Sequence, residues 1–270
     1  MLVQAETGQQ LLMSKQNNSI KVYLNIVLTP SYVVSQLRDF EGGNIFLTEK
    51  LDFEKSSDSN LFLLKIKEIL NIINIDLYDV VEPKLIFDND YYTFVPSVLY
   101  LKGKEKTYLK FSTELNDYDF ATSDFIEKLS IYNIYLPYVN INNYLIDKFQ
   151  KLEFYHFNTV LLNSFLIRES EIISASVPGP DSCYCFIKQG YLKILILKNG
   201  EILFFNSYNY NSLDDILYYL ILSLKDKNLE YINTPLRVYR DNENQEFEIR
   251  FKEFFGNVSF IKYFGVEQIL

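Results

Sequence analysis

CYCFIKQGYLKILILKNGEILFFNSYNYNSLDDILYYLILSL, residues Cys183 to Leu224, decides the fold. Cys183–Ile187 and Tyr191–Leu197 are two β-rich runs about a Lys188-Gln189-Gly190 turn, and Ile202–Tyr208 is a third, reached through Lys198-Asn199-Gly200-Glu201. Asn-Gly between such runs is the strongest short-range hairpin signal, because a type I′ turn needs positive φ at both central positions. The pattern then changes period. Leu213, Ile216, Leu217, Leu220, Ile221 and Leu224 lie on one helical face, and Ser212 with Asp215 makes a capping box in which Asp stands for the usual Glu or Gln. The stretch is therefore a βββα unit.

Outward from it, a fainter copy begins at Ser19. Lys21–Leu28 predicts a strand, Thr29-Pro30-Ser31 a turn, Tyr32–Arg38 the returning strand, Asp39–Gly43 a second turn and Asn44–Phe53 a third strand. The Ser56-Ser57-Asp58-Ser59 cluster starts a helix carrying Phe62, Ile66, Ile69, Leu70 and Ile73, ending near Asn74. Lys84–Phe87 follows as a buried strand, as Leu236–Tyr239 follows the second unit. Corresponding elements sit about 150 to 160 residues apart by predicted starts. The repeat is one of pattern, without residue-level identity.

Between the copies, Tyr91–Ser123 reads as an insertion with short strands at Tyr92–Val95 and Thr107–Thr113 and a hairpin turn at Lys102-Gly103-Lys104. Ile131–Tyr138 predicts a buried strand, Asn140 the cap of a helix carrying Ile141, Tyr144, Leu145 and Phe149, Lys151–Phe157 a strand, and Thr159–Glu169 a helix. Val177-Pro178-Gly179-Pro180 breaks regular structure, marking a boundary as a stiff spacer. The chain closes with a helix at Glu246–Phe255 capped by Gly256 and a strand at Val258–Phe264. The expected organisation is residues 1–18 as a tail or lead-in strand, 19–176 as a first half with an insertion at about 91–123, and 177–270 as a second half.

Composition bounds function more loosely. With 48 % hydrophobic and 23 % charged residues the chain is globular. No apolar run approaches the length of a membrane span and no signal peptide precedes the first unit, so the expected compartment is the cytoplasm. A net charge of −9 and a pI near 4.8 oppose a nucleic-acid partner. Cys183 and Cys185 point the same way along one strand and are expected as free core thiols, because a metal site needs more ligands than His156, the only histidine, can add. No metal site is expected. No serine lies in a nucleophile elbow, and no Walker loop or dinucleotide-binding glycine motif is present. His156 is expected to close a strand-to-helix junction with Thr159. Asp214-Asp215 reads as helix N-terminal charge and Asp88-Asn89-Asp90 as a polar turn. Tyr208, Tyr210, Tyr218 and Tyr219 are read either as an exposed aromatic surface or as partly buried edge residues.

Tyr92-Thr93-Phe94-Val95-Pro96, Tyr155-His156-Phe157-Asn158-Thr159 with Leu161-Leu162, and Phe204-Phe205-Asn206-Ser207-Tyr208 running into Asp215–Leu220 carry a resemblance to DUF3822, a family of Bacteroidetes proteins with an actin-like ATPase fold. The resemblance covers roughly residues 20 to 265. It implies an α/β chain with a duplicated actin-like (ribonuclease H-like) fold, two βββαβα-type halves with an insertion in the first. It also implies a cleft between the halves, with a hairpin from each supporting phosphates and an Asp-x-Gly signature supplying a carboxylate for the metal. The corresponding turns here would be Leu28-Thr29-Pro30-Ser31 and Lys188-Gln189-Gly190. Neither is acidic, and Pro30 lacks a backbone donor. No catalytic residue, cofactor or active ATPase is therefore expected, and the chain reads as a protein-binding or scaffolding module with an unknown protein partner, no nucleic acid and no membrane. It would be a monomer or a homodimer formed through sheet edges or the Tyr-rich helix. The alternative is a divergent nucleotide-binding protein taking ATP in the cleft through Thr29, Ser31, Lys188, Gln189 and Gly190.

Overall fold

The computed structural model describes residues 20–164, 181–188, 190–199, 201–240 and 244–262. Strands β1 (Ile20–Leu28), β2 (Tyr32–Asp39) and β3 (Ile45–Asp52) lead to helix α1 (Ser59–Ile72) and strand β4 (Tyr78–Phe87). Strand β5 (Tyr92–Pro96), helix α2 (Glu105–Leu109) and strands β6 (Thr122–Ile126) and β7 (Ile131–Tyr135) follow. Then come α3 (Val139–Phe149), β8 (Glu153–His156) and α4, described over 157–164. The rest is β9 (Ser182–Lys188), β10 (Tyr191–Lys198), β11 (Glu201–Asn209), α5 (Leu213–Asp226), β12 (Leu236–Arg240), α6 (Gln245–Phe254) and β13 (Val258–Lys262).

The two five-stranded sheets have one topology. Their orders are β3-β2-β1-β4-β8 and β11-β10-β9-β12-β13, so in each the third, second, first, fourth and fifth strands lie side by side. Two antiparallel hairpin pairings build one side of each sheet, and in the second sheet β12 pairs in parallel with both β9 and β13. Parallel pairing requires a crossover, which is why a helix precedes β12 and another precedes β13. The duplication expected from the βββα pattern is thus visible as repeated strand order. By contact, the chain separates into two compact units: the described residues to Ile86 with Tyr138–Phe154, and Phe87–Pro137 with the described residues from Tyr155 onward. The Val177–Pro180 spacer lies outside the described residues.

In the first unit, Val22, Leu24, Ile26 and Leu28 of β1 are buried, as are Phe62, Ile66, Ile69 and Leu70 on one face of α1. Asp58 caps α1 by accepting the Asn60 N–H at 2.8 Å. The α3 helix starts earlier than expected, with Tyr138 rather than Asn140 at its N-cap. The ring of Tyr138 packs 5.1 Å from Phe62, and the Asn140 amide donates to the Ser59 carbonyl at 3.0 Å, so helix packing rather than a local cap sets this end.

In the second unit, β9 and β10 alternate. Cys183, Cys185, Ile187, Leu192, Ile194 and Ile196 meet Ile216, Leu217, Leu220 and Leu224 of α5 in one core, and both thiols are free and buried. The expected capping box of α5 is present: Ser212 Oγ accepts the Asp215 N–H, and the Asp215 carboxylate accepts the Ser212 N–H. Lys198 pairs with Glu201 across the Asn-Gly turn, with Asn199 at φ 53°. At the end of α6 the helix stops at Phe255, and Gly256 is not a left-handed cap: its N–H donates to the Ile232 carbonyl, and a Cβ there would meet that oxygen at 2.9 Å.

The insertion forms its own sheet, β5-β7-β6. The strand expected at Thr107–Thr113 is instead α2 and the turns after it. The Glu105 carboxylate accepts the Gly103 N–H at 3.1 Å, and Leu109 is fully buried, so tertiary anchoring overrides the β-propensity of Thr-Tyr-Leu.

Candidate functional site

The strand alternation that sends the cysteines to one face sends Lys188 of β9 and Tyr191 and Lys193 of β10 to the other. Antiparallel register places Tyr191 directly opposite Lys188 and Lys193 opposite Phe186. Three polar side chains thus meet around the hairpin, where Gly190 adopts φ 82°, a conformation costly for other residues. Tyr210 pins the same turn, its N–H donating to the Gly190 carbonyl and its hydroxyl to the Lys188 carbonyl.

Asp88, the residue after β4, enters this face. Its carboxylate accepts Lys188 Nζ and Lys193 Nζ at 3.2 Å each, and the Tyr191 hydroxyl at 2.5 Å. The Asp88 and Lys193 side chains are 4 % and 2 % exposed, so these charges meet out of water. Burial alone would raise the Asp88 pKa, but Lys193, Lys188 and the Tyr191 hydrogen bond outweigh it and hold the carboxyl well below the ordinary range. Phe157 completes the enclosure, its ring centroid 4.0 Å from Lys188 Nζ and 5.3 Å from Lys193 Nζ.

His156 closes β8 beside this cluster and is fully buried. Its Nε2 lies 3.0 Å from the Asn89 carbonyl oxygen, which can only accept, while Nδ1 faces the Asn158 N–H at 3.2 Å. The ring is therefore the neutral Nε2–H tautomer with both nitrogens bound to backbone. Burial and then the Lys193 charge push its pKa down to about 3, against the pull of Asp88. A ring so placed has no nitrogen for proton transfer to a ligand. Below it, Asp124 accepts the His156 N–H at 2.9 Å and the Tyr135 hydroxyl at 3.0 Å; burial lifts its pKa to about 6 despite these bonds.

The residues expected around phosphates fall into separate surroundings. Thr29 and Ser31 belong to the first unit. Thr29 Oγ1 donates to the Tyr32 carbonyl and accepts the N–H groups of Ser31 and Tyr32, so the hydroxyl and both turn amides are spent within the turn. Lys188 and Gly190 belong to the second unit, with Lys188 on Asp88; Gln189 lies outside the described residues. Among the described residues no group of three His, Cys, Asp or Glu side chains is arranged to hold a metal ion.

Sequence reasoning missed Asp88, Tyr191 and Lys193. Asp88 reads as part of a polar turn because its partners lie 100 to 105 positions away. The available signal was Lys193 itself: a lysine inside an otherwise apolar strand demands a buried carboxylate. The tyrosine cluster around α5 divides. Tyr208 and Tyr219 stack with centroids 4.3 Å apart and Tyr210 binds the hairpin, whereas Tyr218 is 60 % exposed.

A family model described as a protein of unknown function (DUF3822) matches residues 13–258. A solved protein from Bacteroides thetaiotaomicron VPI-5482, described as having an actin-like ATPase fold and unknown function, is similar at 15 % identity with a TM-score of 0.75, over 92 % of this chain and 94 % of that one. A chain of the PilM–PilN type IV pilus biogenesis complex is similar at 10 % identity with a TM-score of 0.53, over 88 % of each chain. No curated protein sequence matches. At these identities the structural likenesses establish the fold and nothing finer.

Proposed function

The chain belongs to the family of proteins of unknown function DUF3822 and has the actin-like ATPase fold, and from that premise we propose that it is a non-catalytic, cytoplasmic protein-binding or scaffolding module. The observation that carries this reading is the Asp88 cluster. In the hairpin that the fold would use for phosphate, the one cation of the turn, Lys188, is held by the protein's own carboxylate, and that carboxylate is in turn saturated by Lys193 and Tyr191. A triphosphate with its metal needs donors for its oxygens and hard oxygen ligands for the ion. Among the described residues of this hairpin, Lys188, Tyr191 and Lys193 all donate to Asp88. The carboxylate accepts from all three and is nearly excluded from solvent, so it is poorly placed to hold a metal ion.

The first-unit turn supports the same reading, since Thr29 consumes the Ser31 and Tyr32 amides internally. A member of the PilM–PilN complex shows that a chain of this fold is found in complex with another protein, a property of that protein which makes a binding role for this one reasonable.

Equilibrium dialysis with labelled ATP and magnesium tests the proposal. Retention no greater than in a buffer control is expected. Saturable micromolar binding with hydrolysis above that control would overturn it and favour the nucleotide-binding alternative; loss of such binding in Lys188→Ala would then assign it to this hairpin.

A further inference from the structure

Seven of the 22 large apolar side chains exposed among the described residues lie between Val98 and Phe125, in the insertion. Scattered exposed apolar residues need no explanation, but Val98, Leu99 and Leu101 fall together within one four-residue stretch. The loop Ser97–Leu101 shows how it is built. Tyr100 turns inward, stacking on Tyr132 with centroids 3.7 Å apart while its hydroxyl donates to Glu105 at 2.5 Å and pairs with Ser123 at 2.9 Å. The Tyr108 hydroxyl donates to the Leu99 carbonyl at 2.6 Å and accepts the Leu101 N–H at 2.9 Å. Fixing residues 99 to 101 this way leaves Leu99 and Leu101 outward, 63 % and 64 % exposed, beside Val98 at 88 %. These leucines are presented on a braced backbone, which lowers the entropy cost of docking them.

The charges around this knob differ from the rest of the chain. The protein carries −9, yet Leu101–Phe111 contains Lys102, Lys104, Lys106 and Lys110 against one acid, Glu105. Glu105 is occupied by Tyr100 and Gly103, and Lys106 by the Asp117 carbonyl. Lys102, Lys104 and Lys110 are exposed, Lys102 near Glu105 and Lys110 with its Nζ 5.3 Å from the Phe111 ring centroid.

We propose that this knob is the docking site for a protein partner presenting an apolar groove rimmed by carboxylates, a surface that seats Leu99 and Leu101 and pairs with Lys102, Lys104 and Lys110. The proposal rests on the protein-binding reading and gives it a site. A protein is favoured over an anionic membrane because Leu99 and Leu101 stand on a short hydrogen-bonded loop beside a five-residue helix, not along the apolar face of a long amphipathic helix of the kind that lies in a membrane surface. Paired opposite charges at a rim act mainly on encounter rate and specificity, while the apolar anchors carry affinity.

The test places a photo-crosslinking benzoylphenylalanine at Leu99 of the full chain in its native cells, with a second probe at the exposed Tyr218 as comparator. The expected result is one trapped protein, identified by mass spectrometry, whose crosslinked segment is rich in Asp and Glu. Its purified complex with the full chain should weaken at least tenfold with Leu101→Asp, and similarly with Lys102→Glu plus Lys104→Glu. Trapping of a second copy of this chain, flotation on phosphatidylserine vesicles that Lys102→Glu plus Lys104→Glu abolishes, or a complex indifferent to these substitutions would overturn the proposal. A protein trapped only at Tyr218 would overturn this site and leave the scaffolding reading standing. Absence of any protein at both positions would count against both.

Discussion

The two hairpins at matching places in the repeated sheet order are closed by different physics. The β1–β2 turn is local: one threonine hydroxyl binds three groups within three residues of itself. The β9–β10 turn depends on Asp88, which lies 100 residues before Lys188 and meets it in a nearly water-free site. The same fold thus carries one turn specified by its own sequence and one specified by a distant carboxylate. What a buried charge cluster fixes, it fixes at the risk of heavy destabilisation if one member is lost.

The largest expected effect follows from that contrast. Asp88→Ala leaves Lys193 and Lys188 without their counter-ion and should destabilise the protein by about 3–5 kcal/mol in chemical denaturation. Replacing the whole cluster, Asp88→Leu with Lys188→Met and Lys193→Met, should recover most of this loss, because no uncompensated charge remains. If the single substitution costs no more than an exposed ion pair, the second hairpin is not held by Asp88.

Asp124 gives the next effect. Its pKa is raised by burial to about 6, so the fold favours its protonated form. This contribution is present below the ordinary carboxylate pKa and is lost as pH rises through about 6, a change of at most ~3 kcal/mol between pH 4 and 7 at roughly 1.4 kcal/mol per pH unit. Asp88 acts in the opposite sense, its stabilisation being lost only as pH falls below the unfolded carboxylate pKa. His156, held neutral with its pKa down at about 3, acts against Asp124 over the same range, its stabilisation growing as pH rises toward the ordinary imidazole value. Denaturation curves at pH 4 to 7 should therefore show stability rising more steeply with pH in Asp124→Asn than in the wild type; an unchanged slope would remove Asp124 as a contributor.

Local closures come last. Thr29→Ala frees the Ser31 and Tyr32 amides and should cost about 1–2 kcal/mol, well below Asp88→Ala. Ser212→Ala should cost about 1 kcal/mol through loss of the α5 cap. Equal losses from Thr29→Ala and Asp88→Ala would erase the distinction between the hairpins.

What was legible in the sequence follows the same division. The βββα run at Cys183–Leu224 was readable because alternation, an Asn-Gly turn, a cap and a helical stripe are all short-range signals. So was the inward face of α1. The α2 helix was not, because Thr107 to Phe111 favour a strand by composition and only Glu105, Tyr108 and buried Leu109 turn them into a helix. The β6 strand was missed for a related reason: Thr122–Ile126 acquires its partner β7 only in the folded insertion. At the candidate site Lys188 was identified from its turn, whereas Asp88 was read as turn polarity because a carboxylate's burial is decided by tertiary partners. Lys193 was passed over inside a run that otherwise signals core.

Lys188 is held by Asp88, and under the proposed function it is unavailable to phosphate. The most direct measurement is the melting temperature of the wild-type protein against increasing ATP with magnesium. Ligand binding to the folded state would add about 2.7 kcal/mol at a hundredfold excess over Kd. A flat wild-type curve across micromolar to millimolar ATP is expected; a wild-type melting temperature that rises with the logarithm of ATP concentration, with the rise lost in Lys188→Ala, would show that phosphate reaches this lysine and overturn the proposed function.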